Sequence, residues 1–547
     1  GVADLPALAE AARSVADGGG SPGSALDRLV VALAATGTTI FAHRVRLLVA
    51  RRVVDRATAA EAERAVAAVD SDKAELRLAV KERDDFFTTY FVSTWSPWVT
   101  KACARIGLGP TGVTVLSVLM AVAAAGLFAL GGRPALVTGA VLLYLGFVLD
   151  CVDGQLARYT RDFSPWGGWL DTMADRAKEY VVYAGLGWGV TRAGLDDGWP
   201  VDGWTLAIAA ITLQTVRHMT DTWYGALHDE AARRPKPAGA GAGGIGDRLS
   251  RASNRVQSDT GSVSYWLKRT VVFPIGERWA LISLTVALFD PLVSLLAVLA
   301  WGVLAFGYTL ALRTLRARSM RVPVMTGVDR PLHRDDGRVA GWLGWIDGRV
   351  RAPLTFGLVA ALTSVGLLGS AVAGAGGAGS RWYPLVALPV LLLAGLPSRA
   401  RHDGPLDWLV PAVLRAAEYL FVIAYGVFFD LPGALVYALL FVLALRHYDL
   451  TARLEKRQGA APLHALGLGW DGRLILLAVV GAVGFGILEV TVGLTAYLFG
   501  TLAVGAVVGW STVAAGRRRS NGVDDAVAAP DDMGRVPTAE AVEEQNR

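Results

Sequence analysis

Apolar runs long enough to cross a bilayer begin near residue 112 and recur to residue 513. A first set lies near 112–131, 134–150, 170–194, 203–226, 276–291 and 292–312. A second lies near 354–374, 382–397, 406–429, 431–447, 472–489 and 491–513. A hydrocarbon core about 30 Å thick needs about 20 apolar residues of helix. The pattern therefore predicts an all-α polytopic membrane protein with two six-helix membrane domains, 86–315 and 353–515. Residues 1–85 read as a helical, cytoplasmic N-terminal extension, 316–352 as a basic cytoplasmic linker, and 516–547 as a disordered polar tail.

The polar positions orient these spans. Gly109-Pro110-Thr111-Gly112 is a helix start, with Pro in the first turn. Phe86, Phe87, Trp95 and Trp98 before it suit an amphipathic helix at the headgroup level. The loop 230–270, the linker 313–352 and Arg517-Arg518-Arg519 are basic, so the positive-inside rule places them in the cytoplasm. An even number of spans is consistent with that. The membrane foreseen is the cell (inner) membrane.

Composition agrees. Of 547 residues, 53% are hydrophobic, which excludes an ordinary soluble enzyme. The net charge of +5 belongs to the Arg-rich loops, and no nucleic-acid partner is expected. Two cysteines, Cys103 and Cys151, give no disulfide framework, and Cys151 reads as a small apolar filler. The chain opens on Gly1 without a signal-peptide pattern, which leaves room for a natural N-terminus upstream.

Against this apolar background stand four aspartates. Asp150, Asp153, Gly154 and Ala157 fall at i, i+3, i+4 and i+7, one stripe of a helix, with Arg158 one turn after Gly154. Gly167, Asp171 and Asp175 fall at i, i+4 and i+8 on the next helix. Two helices can thus aim two carboxylates each into one cavity. Such groups are costly in a membrane and mark a functional site. The nearby bases Arg158, Arg176 and Lys178 are outnumbered, so a purely structural ion network would leave buried charge unpaired. Divalent cations resolve the repulsion, and oxygen ligands suit Mg²⁺ or Mn²⁺. Small residues at 154 and 157 leave room for a bulky ligand. The second span runs past the bilayer edge, which puts the site near the cytoplasmic face.

The sequence D-x2-D-G-x2-A-R-x8-G-x3-D-x3-D, from Asp150 to Asp175, resembles the motif of the CDP-alcohol phosphotransferase family. The resemblance covers about residues 86–315. It departs from the family at the opening of the first span, where Gly109 and Thr111 replace Thr and Asn. The resemblance implies transfer of a substituted phosphate from a CDP-linked donor, such as CDP-diacylglycerol, to a hydroxyl acceptor, with release of CMP. It implies that Asp150, Asp153 and Asp171 are metal ligands, with two ions expected. Asp175 would be the catalytic base and also a metal ligand, and Gly154, Ala157 and Arg158 would hold the nucleotide. Arg217 and Arg278 would hold a polyol or sugar phosphate acceptor, whereas His218 reads as a packing residue. Partners foreseen are the lipid bilayer, the CDP-linked donor, the phosphorylated acceptor, and either a homodimer or an internal pseudo-dimer. An intramembrane prenyltransferase also uses Asp-rich helices but lacks the Gly-x-x-Ala-Arg element. A non-catalytic scaffold fits the second half better than the first.

Landmarks of the first half return in the second. Arg176-Ala177-Lys178-Glu179-Tyr180 is echoed by Arg415-Ala416-Ala417-Glu418-Tyr419, Arg217-His218 by Arg446-His447, and Gly276-Glu277-Arg278 by Asp471-Gly472-Arg473. The aspartates do not return, and Leu396–Arg401 stands in their place. The expectation is a duplicated domain without its metal site.

Overall fold

The structure is a computed structural model that describes residues 5–17, 25–35, 49–51, 53, 55–81, 84–198, 201–233, 262–320, 330–346, 352–374, 377–455 and 459–527. It is all-α, with no strand among these residues. Four short helices come first: α1 Leu5–Asp17, α2 Ala25–Ala35, α3 Arg56–Ala67 and α4 Ser71–Ala79. A π-helical turn, Thr88–Val92, leads into α5, Ser96–Arg105. Tyr90, Phe91 and Trp98 stay exposed there, as an interfacial segment requires.

The first half continues with α6 Pro110–Leu130, α7 Arg133–Thr160, α8 Pro165–Arg192 and α9 Gly203–Arg233. After these come α10 Val263–Val271, α11 Ile275–Leu288 and α12 Pro291–Met320. Two short helices, α13 Arg330–His333 and α14 Arg338–Ile346, join it to the second half. That half holds α15 Pro353–Val372, α16 Tyr383–Leu392, α17 Val410–Phe428, α18 Gly433–Glu455, α19 Gly469–Val483 and α20 Ile487–Val527. A tighter 3₁₀ stretch, Leu393–Arg399, extends α16. Among the described residues nine helices are long and apolar enough to cross a membrane, or ten if α10 and α11 count as one bent span. The chain is a multi-pass membrane protein.

Local chemistry sets the helix ends. Gly131 and Gly132, at φ 72° and 78°, make the turn into α7. Arg161 ends α7 in the left-handed region, at φ 58°. Ser164 then caps α8: its Oγ accepts from Gly167 N at 2.9 Å, and Pro165 fills the first turn. Gly185 and Gly189 let α8 touch α6. A Cβ there would lie 2.4 Å from the Ala125 carbonyl and 2.3 Å from that of Phe128. The 76° bend between α10 and α11 falls at Phe273-Pro274, with Phe273 at φ 56°.

The halves pack face to face, α18 against α8 and α9, and α17 against α9. The Tyr437 hydroxyl donates to the Tyr180 carbonyl at 2.6 Å, and Tyr180 reaches the Tyr448 hydroxyl at 3.1 Å. The helix that holds Arg517–Arg519 runs on to Val527, so the backbone of the expected tail is helical to that point. The Gly/Ala-rich loop 234–261, linker residues 321–329 and 347–351, and residues 528–547 lie outside the described residues.

Candidate active site

The aspartate stripes meet as their spacing predicts. Asp150 and Asp153 on α7 and Asp171 on α8 each offer a carboxylate oxygen, and these oxygens all lie within 4.8 Å of one another. Thr114, one turn into α6, donates to Asp153 Oδ2 at 2.6 Å and fixes its rotamer. Three oxygen donors this close, with a neutral hydroxyl behind one of them, fit a hard divalent cation.

The fourth aspartate is not in this trio. Asp175 Oδ1 lies 3.3 Å from Lys178 Nζ, and Asp175 Oδ2 lies 4.0 Å from Arg176. Lys178 also pairs with Asp150. The sequence brought Lys178 to notice only as a nearby base. Its spacing, three residues after Asp175 and seven after Asp171, already placed it on the aspartate stripe.

The nucleotide candidates sit at the C-terminal end of α7. Arg158 folds back over Gly154: a Cβ at Gly154 would lie 3.3 Å from Arg158 Nη1. Gly154 therefore makes room for the arginine as well as for a ligand. Arg158 Nε donates to the Ala79 carbonyl at the end of α4. Two further contacts hold α4 on this corner: Asp72 with Lys101 at 2.5 Å, and Glu75 with Arg161 at 3.1 Å. The bonds from Lys101 and Tyr159 hold the Asp72 carboxyl below its usual range. Nothing in residues 71–79 signalled this contact, because it depends on packing across the chain. Buried Gln155 secures the other side of α7, within 3.1 Å of Ser96 and 3.0 Å of Thr100 on α5.

The two acceptor candidates converge on each other and not on the aspartates. Arg217 and Arg278 both donate to the Phe273 carbonyl, at 3.0 and 2.8 Å. Arg278 Nε also lies 2.9 Å from Glu179, which pairs with Arg176 at 3.0 Å. Both arginines are buried, and Arg217 Nε has no hydrogen-bond partner. The His218 ring lies 5.0 Å from that of Tyr448, a packing contact. Cys103 and Cys151 are free thiols.

The second half also reaches the site. Trp169, two residues before Asp171, donates to Asp449 at 2.6 Å, stacks on Trp166 and meets the Trp510 ring at a tilt of 48°. Arg453 holds Asp449 at 2.8 Å.

Residues 108–236 match the profile of the CDP-alcohol phosphatidyltransferase family, and residues 332–531 match that of a family of unknown function. Three relatives align with part of the chain. The archaetidylinositol phosphate synthase of Pyrococcus horikoshii is 31% identical over 91 residues, 17% of this chain and 47% of the relative. The phosphatidylinositol phosphate synthase of Mycobacterium bovis is 33% identical over 91 residues, 16% of this chain and 41% of the relative. The bifunctional IPC transferase and DIPP synthase of Rubrobacter xylanophilus is 36% identical over 94 residues, 17% of this chain and 21% of the relative. The chain thus spans less than half the length of these relatives. The profile, the relatives and the complete motif agree, and residues 108–236 form a CDP-alcohol phosphatidyltransferase domain.

Proposed function

We propose that the chain transfers a substituted phosphate from a CDP-linked alcohol to a hydroxyl acceptor and releases CMP, in phospholipid biosynthesis. The observation that carries this is the meeting of Asp150, Asp153 and Asp171 from two helices, with Arg158 one turn away. These aspartates would hold one or two Mg²⁺ or Mn²⁺ ions. Bound there, such ions orient a diphosphate and offset the charge that grows on the leaving CMP. Arg158, anchored by Nε to Ala79, keeps its terminal nitrogens for the nucleotide phosphates, beside Gly154 and Ala157. Asp175 takes the acceptor's hydroxyl proton. The acceptor oxygen bonds to the phosphorus that carries the alcohol, and the bond from that phosphorus to the CMP oxygen breaks.

The acceptor we propose is a polyol phosphate, with inositol phosphate first because two relatives carry inositol phosphate lipids in their names. Arg217 and Arg278 are the candidate anchors, and the unpartnered Nε of Arg217 supports this. The membrane is the cell (inner) membrane with the site near its cytoplasmic face, as Lys268 and Arg269 at the end of α10 support. The second half is a degenerate, non-catalytic copy that packs on the first as an internal pseudo-dimer. Its support is the repeated pairing of Glu179 with Arg278 and of Glu418 with Arg473.

The test is CMP release by the full chain in vesicles containing CDP-diacylglycerol, with Mg²⁺ or Mn²⁺, against inositol phosphate, glycerol phosphate or buffer. Inositol phosphate should give the fastest release. Failure to release CMP from any CDP-linked alcohol overturns the proposal.

A further inference from the structure

Helix α4 packs on α7 and α5, and it lies upstream of the residues that match the family profile. Its N-terminus is closed by Asp70, whose Oδ1 accepts from Lys73 N at 3.1 Å. Asp72, Glu75 and Ala79 fall at i, i+3 and i+7, one stripe of the helix. Each meets the same corner of α5 and α7. Asp72 accepts from Tyr159 and pairs with Lys101 at 2.5 Å. Glu75 pairs with Arg161 at 3.1 Å. The Ala79 carbonyl accepts from Arg158 Nε. A carbonyl at the last residue of a helix has no partner within it, so the guanidinium supplies one. Ala74 and Ala79 are buried, so packing seats α4 as well as charge.

These contacts hold Arg158 at both ends of its guanidinium. Nε is bound to α4, and the terminal nitrogens lie over Gly154, where a Cβ would be 3.3 Å from Nη1 and 3.6 Å from Nη2. Ordering a long, flexible side chain on binding costs about two- to tenfold in affinity. Here α4 has ordered it before any ligand arrives. We propose that α4 is a positioning element of the donor site. It sets Arg158 for the diphosphate of a cytidine nucleotide, and it tunes donor affinity from outside the region that the family profile matches. This rests on the nucleotide reading of Arg158 above and adds residues 71–79 to that site.

The experiment measures binding and needs no turnover. CDP with Mg²⁺ is titrated by calorimetry onto the full chain in lipid nanodiscs. Asp72→Lys with Ala74→Arg sets like charge against Lys101 and forces a large side chain into a place filled by a methyl group. Amide exchange across residues 71–79 should rise, and the Kd for CDP should rise about fivefold. Arg158→Ala should weaken CDP binding at least about tenfold. Added to Arg158→Ala, the α4 changes should alter the Kd no further, because a helix that acts through Arg158 then has nothing to position. An unchanged Kd in a folded variant with α4 released overturns the proposal. So does wild-type exchange across residues 71–79 in that variant. So does an α4 effect that persists in full beside Arg158→Ala. If the variant does not fold, Asp72→Lys with Glu75→Lys is read by the same criteria. Wild-type CDP affinity in Arg158→Ala, or no CDP binding by wild type, overturns the nucleotide reading itself, and the inference falls with it.

Discussion

In the first half, Glu179 sits between two arginines, Arg176 at 3.0 Å and Arg278 at 2.9 Å. In the second, Glu418 holds Arg473 at 2.6 Å, but Arg415 turns its guanidinium to the carbonyls of His333 and Arg334. Those carbonyls belong to the segment before the first span of that half. The same segment sends Asp335 inward to Arg473 at 2.7 Å and to His447 and His464, each at 3.3 Å. Its next turn is capped by Asp471, which accepts from Gly337, Val339 and Ala340. In the matching segment of the first half, Asp84-Asp85, buried Asp85 accepts from the backbone of Thr88 and Gly276. One half thus brings three carboxylates within 4.8 Å of one another. The other fills its polar interior with its own chain, and among the described residues it holds no comparable acidic group. A buried charge network can be purely structural when every charge has a partner within the chain. Reaction chemistry needs carboxylates gathered at one point, as Asp150, Asp153 and Asp171 are.

The sharpest way to break this contrast is to neutralise one acid in each half. Asp153→Asn should cut CMP release by at least about a thousandfold, since a bound metal contributes several kcal/mol of charge stabilisation. Retention of near-wild-type release by the folded variant would remove the asymmetry between the halves. In the second half, Glu418→Ala leaves Arg473 short of a carboxylate and should destabilise the protein by about 3 kcal/mol, read as a lower melting temperature in detergent. CMP release per folded molecule should not change. Glu179→Ala should destabilise as much and also slow release, because its partner Arg176 lies 4.0 Å from Asp175.

A smaller effect follows from acid. Burial pushes the Asp335 carboxyl up, but Arg473, the bond from His447, and Arg415 more than offset it and hold it well below the usual carboxylate range. A folded-state value below the unfolded one means that Asp335 contributes stability above about pH 4 and loses it as pH falls further. Amide exchange in α13 and α14 should therefore rise first on acidification below that point, and Asp335→Asn should flatten the dependence. The smallest effect belongs to the seam between the halves. Tyr437→Phe removes the bond to the Tyr180 carbonyl and should cost about 1 kcal/mol in the same melting assay, with release unchanged.

Much of this could be read from the chain because its cause is periodic. Span positions follow from apolar runs, and the meeting of Asp150, Asp153 and Asp171 follows from helical spacing. The turn at Ser164 follows from cap chemistry. What escaped depends on neighbours distant in sequence. Asp175 bears the same motif position as in the family pattern, and the chain engages it with Lys178 at 3.3 Å and Arg176 at 4.0 Å. Arg278 reads as an anion anchor, but Glu179 already engages it, and pairing one span with another is not encoded in either span alone. The seating of α4 under Arg158 and the insertion of Asp335 are likewise decided by how segments pack.

The bond from Trp169 to Asp449 joins the helix that carries Asp171 to a residue 280 positions later. Both ends belong to one polypeptide. A wall supplied by a separate subunit is lost when few copies share a large membrane, because association in two dimensions follows mass action. A tethered wall stays at a fixed, high effective concentration. The contact that Trp169 gives α8 is therefore insensitive to expression level.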